Sequence, residues 1–170
     1  MVVESSVNSR HNLAIIELKG GLKERIFRTK DNDFLSFPSW SDDQEKLIAI
    51  SLKGQGKSII EFDISTGEYQ YLLPFSAADI QKPIYWKDYI LYQGSYAGIS
   101  NIYALHLPSK AIFQVTSSAF GAQSPAIRDG KLFYSEYTAS GNQIAIAELY
   151  PENWKPISEI ENEWYPLADL

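Results

Sequence analysis

His11 and His106 are the only two imidazoles in the 170 residues, and there is no cysteine. Disulfides and thiolate chemistry are therefore excluded, and a zinc site built on several histidines has too few ligands. Acyl transfer needs a nucleophile activated by a base that a third group orients. Gly94-Ser95-Tyr96-Ala97-Gly98 comes nearest to that need. A nucleophile elbow, however, places Ser at the centre of Gly-x-Ser-x-Gly on a strand-to-helix turn. Ser95 directly follows Gly94, and the segment reads as a loop between strands. His106 is expected to face solvent or a neighbouring sheet from a strand, and His11 to fall in a loop. Neither acquires a Ser and Asp partner, so no catalytic residue is assigned.

Asp31-Asn32-Asp33 and Asp42-Asp43 are the dense oxygen clusters. A calcium loop needs six to eight oxygens and usually a glycine at its sharp turn. That pattern is missing, so these acids read as turn formers, and no metal ligand and no cofactor are expected. No Gly-x-x-x-x-Gly-Lys phosphate loop occurs, and Gly20-Gly21 reads as a hairpin turn. Nothing singles out a carboxylate pair of the kind glycoside hydrolysis uses. One recurrence stands apart. Gln81-Lys82-Pro83 and Gln123-Ser124-Pro125 place Gln two residues before Pro, and Ser36 holds that place before Pro38.

Those prolines mark a repeat. Pro38-Ser39-Trp40, Pro83-Ile84-Tyr85 and Pro125-Ala126-Ile127 recur at spacings of 45 and 42 residues. After each come a charged turn, an apolar run (Leu47–Ile50, Tyr89–Tyr92, Leu132–Tyr134), a polar loop, and a third run (Ile59–Asp63, Ile102–His106, Ile144–Glu148). A fourth run closes the unit at Tyr69–Leu73 and Ala111–Val115, and Trp154–Ile160 is the candidate in the last unit. Short runs rich in branched and aromatic residues, bounded by turn residues, are strands. Asn12–Leu18 overlays Asn101–Leu107, which makes Val2–Ser6 a second strand and Glu24–Thr29 a fourth. The first unit thus lacks its inner strand, as expected of part of a longer protein.

Four antiparallel strands in about 40–45 residues describe a β-propeller blade. The chain is expected to be all-β, with about four blades at 2–35, 36–80, 81–122 and 123–160, followed by an acidic tail or linker at 161–170. The stretch before each Pro then enters the innermost strand at the mouth of the central channel. Gln81, Gln123 and Ser36 are the candidate ligand-binding residues there, with Tyr96 as an aromatic candidate. The alternative role for the glutamines is to satisfy backbone groups at the strand entry.

Pro38-Ser39-Trp40-Ser41-Asp42-Asp43-Gln44-Glu45-Lys46-Leu47 resembles the Pro-x-Trp-Ser-Pro-Asp-Gly-Lys-Lys-Leu/Ile motif of TolB-like, WD40-like propeller repeats. Asp43, Lys46 and Leu47 match, whereas Asp42 stands for the motif's Pro and Gln44 for its Gly. The third copy keeps Asp129-Gly130-Lys131-Leu132 without the Trp. The resemblance covers roughly residues 2–150 and implies part of a six-bladed or larger propeller. It implies a non-catalytic binding or scaffold module of a larger bacterial cell-envelope protein, periplasmic or at the cell surface. The alternative it implies is the gating propeller of a prolyl-oligopeptidase-like hydrolase.

The balance of 15 basic against 21 acidic residues, net −6, shows no cationic cluster for nucleic acid. No run of about 18 apolar residues is present to cross a membrane as a helix, and residues 1–6 lack the basic start and apolar stretch of a secretory leader. The expected partner is a protein or peptide, with self-association through apolar blade flanks around Leu13, Ile15, Val3, Ile144 and Phe133.

Overall fold

The computed structural model describes residues 1–17, 20 and 23–160. The Gly20-Gly21 turn and the acidic stretch 161–170 therefore lie at least partly outside the described residues. Apolar residues alternating along short runs produce four antiparallel meanders. β1 (Val2–Val7), β2 (Arg10–Ile16) and β3 (Lys23–Phe27) form the first. β4 (Phe34–Trp40), β5 (Lys46–Lys53), β6 (Gly56–Asp63) and β7 (Tyr69–Tyr71) form the second. β8 (Ile80–Trp86), β9 (Tyr89–Ala97), β10 (Ile99–His106) and β11 (Ile112–Gln114) form the third. β12 (Ala122–Arg128), β13 (Lys131–Thr138) and β14 (Gly141–Glu148) form the fourth. The fold is all-β, and among the described residues the helical segments are two single 3₁₀ turns, Pro151–Asn153 and Ile157–Glu159.

The first blade has its second, third and fourth strands without an inner one. Its hairpin shows why His11 lies on a strand and not, as the sequence suggested, in a loop. Asn8 and Ser9 both adopt positive φ (52° and 61°). A two-residue turn of that handedness matches strand twist and lets pairing resume at once. Val7 then pairs with Arg10 and Ser6 with His11.

Side chains alternate between blade faces, so the core consists of layers between blades. Leu13, Ile15, Phe27, Leu35, Leu47, Ala49, Ile60 and Phe62 pack between the first and second blades. Ile48, Ile50, Ile59, Ile80, Ile90, Tyr92, Tyr103 and Leu105 pack between the second and third. Trp86, Leu91, Ile102, Ala104, Ala122 and Leu132 pack between the third and fourth. Each fully buried aliphatic side chain contributes about 1.5–3 kcal/mol. Leu13 and Ile15 face the second blade and are buried, which corrects their assignment to an open flank. On the first blade Ile26 is exposed instead, as is Met1.

Trp154–Ile160 does not complete the fourth blade. β15 (Lys155–Pro156) pairs antiparallel with β11, setting Phe113 opposite Pro156 and Gln114 opposite Lys155. Proline has no amide hydrogen and suits such an edge position. The return places Trp154 against Trp86 (5.8 Å between ring centroids) and Tyr89 (5.0 Å). The burial of a large indole between the third and fourth blades outweighs one further edge pairing on β14.

Candidate functional site

Each inner strand begins with the same irregularity. Ladder register shifts between Ser36 and Ser39, between Gln81 and Ile84, and between Gln123 and Ala126. The residue before proline in each has positive φ: Phe37 at 53°, Lys82 at 50° and Ser124 at 55°. Proline keeps its predecessor out of the right-handed helical region, and the extra residue is absorbed as a β-bulge. A non-glycine residue held there costs of order 1 kcal/mol, so the surroundings must fix it.

Interblade hydrogen bonds do so at two of the three. The Phe37 amide donates to Glu4 Oε1 at 2.8 Å. The Ser124 amide donates to Gln93 Oε1 at 3.2 Å. Glu4 lies opposite Leu13, and Gln93 opposite Ile102. Those are equivalent places in the first and third blades. The bulge side chain in turn reaches toward the following blade: Phe37 packs on the core between the second and third blades, and Lys82 Nζ donates to Ser124 Oγ at 2.5 Å.

At these strand entries the structure brings together two of the four residues suggested by the sequence. Ser36 and Gln81, from consecutive blades, line a cavity of about 330 Å³ with Glu4, Phe34, Phe37, Leu52 and Lys57. Gln81 Nε2 donates to Asp79 Oδ2 at 2.9 Å, and Lys57 Nζ also pairs with Asp79. Lys57 lies at the start of β6, and its backbone bonds Ser76 in both directions at 2.8 and 3.1 Å. That approach requires glycine at position 56, where φ is 110° and an added Cβ would lie 2.0 Å from the Ser76 carbonyl oxygen. Phe34 and Leu52 are 44% and 39% exposed and give the cavity an apolar rim.

Gln123 and Tyr96 fall elsewhere. Gln123 is exposed, opposite Ser135 on the fourth blade. Tyr96 joins a tyrosine cluster: its ring meets Tyr103 edge-on at 4.8 Å, and its hydroxyl is 3.0 Å from that of Tyr92. Burial raises the pKa of all three phenols, that of Tyr103 to about 12. Glu4, Lys57, Lys82 and Gln93 were not read from the sequence. Overlaying the second strands would have exposed Glu4 and Gln93 as equivalent polar positions.

The remaining candidates serve the frame. Ser95 lies on β9, in the hairpin that continues directly into β10. His11 stacks edge-on against Phe34 at 5.0 Å. His106 Nδ1 lies 2.7 Å from Ser109 Oγ across a turn, and among the described residues no carboxylate joins that pair. Asn32 bonds the His11 amide and the Ser9 carbonyl, and Asp31 pairs with Lys53. Asp33 is buried. Burial pushes its pKa up, but hydrogen bonds from Ser51, Tyr71 and Thr29 and the charge of Lys53 outweigh this and hold it low. Ser51 Oγ and the Tyr71 hydroxyl donate to Asp33 Oδ2 at 2.6 and 2.7 Å.

No protein-family model and no curated relative matches this sequence. Solved structures do. A TolB structure from Agrobacterium tumefaciens superposes with TM-score 0.75 at 17% identity, over 91% of this chain and 59% of that one. TolB from Acinetobacter baumannii gives 0.72 at 15%, over 92% and 40%. A prolyl endopeptidase gives 0.64 at 16%, over 97% and 26%. The chain has the TolB-like β-propeller fold. It spans less than two thirds of these neighbours, and its open sheets are those of an incomplete propeller. The TolB-like turn motif acts here as a capping device. Ser41 Oγ donates to Asp43 Oδ1 at 2.5 Å and accepts from the Lys46 amide at 2.9 Å, while Asp43 Oδ1 also accepts from the Glu45 amide at 3.0 Å. Asp42 and Asp43 are thus turn residues, and among the described residues no group of His, Asp and Glu is arranged to hold a metal ion.

Proposed function

We propose that this chain is a non-catalytic binding or scaffold propeller module of a larger cell-envelope protein, with the channel mouth as its contact surface. The observation that carries the reading is the cavity shared by Ser36 and Gln81, where polar groups from two blades meet beneath the exposed Phe34 and Leu52. A few convergent polar groups within an apolar rim suit a peptide or small ligand. Likeness to TolB supports the periplasm as its location. Among the described residues no helix is long and apolar enough to cross a membrane.

The test is a nuclear magnetic resonance titration with a library of short peptides. Ligands should shift Phe34, Leu52 and the Gln81 side-chain amide. Ser36→Ala and Gln81→Ala should each weaken binding by about two- to tenfold, one neutral hydrogen bond's worth, with melting temperatures retained. A large stability loss in both variants, with binding unchanged, would assign the pair to capping the strand entry.

A second reading is the gating propeller of a multi-domain hydrolase. It rests on the propeller-bearing prolyl endopeptidase and on a puromycin hydrolase that matches at TM-score 0.64 over 91% of this chain. A Gly-x-Ser-x-Gly hydrolase domain encoded in the same gene would select it.

A further inference from the structure

The inner strands carry a second concavity at the opposite end from the Ser36–Gln81 mouth. Ser39, Ile84 and Ala126 follow the three repeat prolines, and Trp40, Tyr85 and Ile127 follow those. Together with Asp42, Trp86 and Pro125 they line a cavity of about 360 Å³. One motif, used three times, therefore builds three walls of one site. The copies differ in what they present: Trp and Tyr from the second and third blades, Ile from the fourth.

The chemistry of this cavity is specific. Tyr85 is fixed, because its hydroxyl donates to Glu61 Oε2 at 2.8 Å. Glu61 is itself held by Lys46 at 3.2 Å and by the Gln70 amide at 2.8 Å. Trp86 already carries Lys87, whose Nζ lies 4.7 Å from the ring centroid. Trp40 is half-buried against the core between the first and second blades and also lines this cavity. Asp42 is exposed, and its carboxylate makes no ion pair or hydrogen bond among the described residues. Its neighbour Asp43 is consumed by the turn. An aromatic surface attracts a cation through its quadrupole, and an adjacent free carboxylate adds direct charge attraction.

We infer that this cavity binds the cationic side chain, lysine or arginine, of a partner polypeptide. The aliphatic stem packs on Trp40, Ile84 and Ala126, and the charged head lies between the Trp40 ring and Asp42. Ser39 supplies a hydroxyl beside it. Cations already present do not fill the site: Lys87 lies on Trp86, and Arg128 pairs with Asp129 at 3.6 Å.

The test follows the Trp40 indole N–H resonance during titration with acetyl-Gly-Lys-Gly-amide and acetyl-Gly-Arg-Gly-amide. Acetyl-Gly-norleucine-Gly-amide is the uncharged isostere. Both cationic peptides should shift Trp40, and the norleucine peptide should bind at least fivefold more weakly. Asp42→Asn, a change at an exposed position, should weaken cationic binding by about two- to fivefold. Trp40→Phe should weaken it by less, and higher salt should weaken it as well. Gln81→Ala, at the other mouth, should leave it unchanged, so failure here is distinguishable from failure of the mouth reading. Equal binding of the norleucine peptide, unaltered binding in Asp42→Asn, or no Trp40 shift at millimolar peptide would each overturn the proposal.

Discussion

The carboxylate of Glu4 in the first blade accepts the Phe37 amide of the second at 2.8 Å, across the blade boundary and beside the cavity lined by Ser36 and Gln81. Gln93 does the same for Ser124 two blades on. In the second blade Ile50 holds the corresponding place, opposite Ile59, and offers no acceptor. An interblade bond to the bulge amide therefore forms at two boundaries and, among the described residues, has no counterpart at the third.

Glu4→Ala should then destabilise the chain by about 1 kcal/mol, the net worth of one partly solvated hydrogen bond. Glu4→Gln keeps an acceptor and should recover most of it. Urea unfolding checks this through a lower midpoint at unchanged slope. An alanine variant as stable as the parent would show that the proline alone holds the bulge.

Position 56 tests how the cavity wall is built. A side chain there collides with the Ser76 carbonyl and must also adopt φ 110°. Gly56→Ala should cost at least about 2 kcal/mol, since backbone strain and a steric clash add. The same change at Gly54, where an added Cβ meets nothing within 4 Å, should cost well under 1 kcal/mol. Similar melting temperatures for the two variants would refute the Lys57–Ser76 tie as a constraint.

Acid should destabilise the second blade in a defined window. The folded-state pKa of Asp33 is lowered, and that of Asp63 falls to about 2 through the Ser65 hydroxyl and the Thr66 amide and hydroxyl. A carboxyl group depressed in the folded state stabilises it above the unfolded pKa near 4 and loses that contribution as pH falls toward the folded value. Stability should therefore be flat from pH 7 to about 5 and decline between about 4 and 2. Asp33→Asn should lower the plateau and shrink the decline, as read by urea midpoints across pH.

The repeat was legible because proline, a charged turn and period-2 runs recur on one strand each. The glutamines before proline marked the strand entries for the same local reason, though not the bulges the structure places there. Their partners were harder, because Glu4 and Gln93 sit on other blades and only sheet register brings them near. Tyr96 looked like a loop aromatic, yet its ring fills space beside Tyr103 over Gly94, where an added Cβ would approach both rings at 3.1 Å. Leu13 and Ile15 were placed on the wrong flank because alternation shows that a strand has two faces and not which neighbour each one meets. Trp154 was misplaced because pairing with β11 is decided by an interblade pocket, at Trp86 and Tyr89, far upstream in the chain.

The fourth blade ends the described stack with a face made like the others. Leu13, Ile59 and Ile102 occupy one equivalent third-strand position, and each is fully buried against the following blade. Ile144 holds that position in the fourth blade and is 83% exposed, with Ile146 beside it at 59%. Phe133 pairs with Ile146 on the same face. Contiguous apolar surface of this kind associates in water, and we propose that copies of the isolated chain meet there. Ile144→Lys should reduce the concentration-dependent mass seen by light scattering and leave the urea midpoint nearly unchanged, because the side chain is already in solvent. Ile102→Lys places a charge between two blades and should unfold the chain, at a cost above about 4 kcal/mol. A parent chain that stays monomeric across the series, or an Ile144→Lys variant that associates equally well, would show that this face is not the contact.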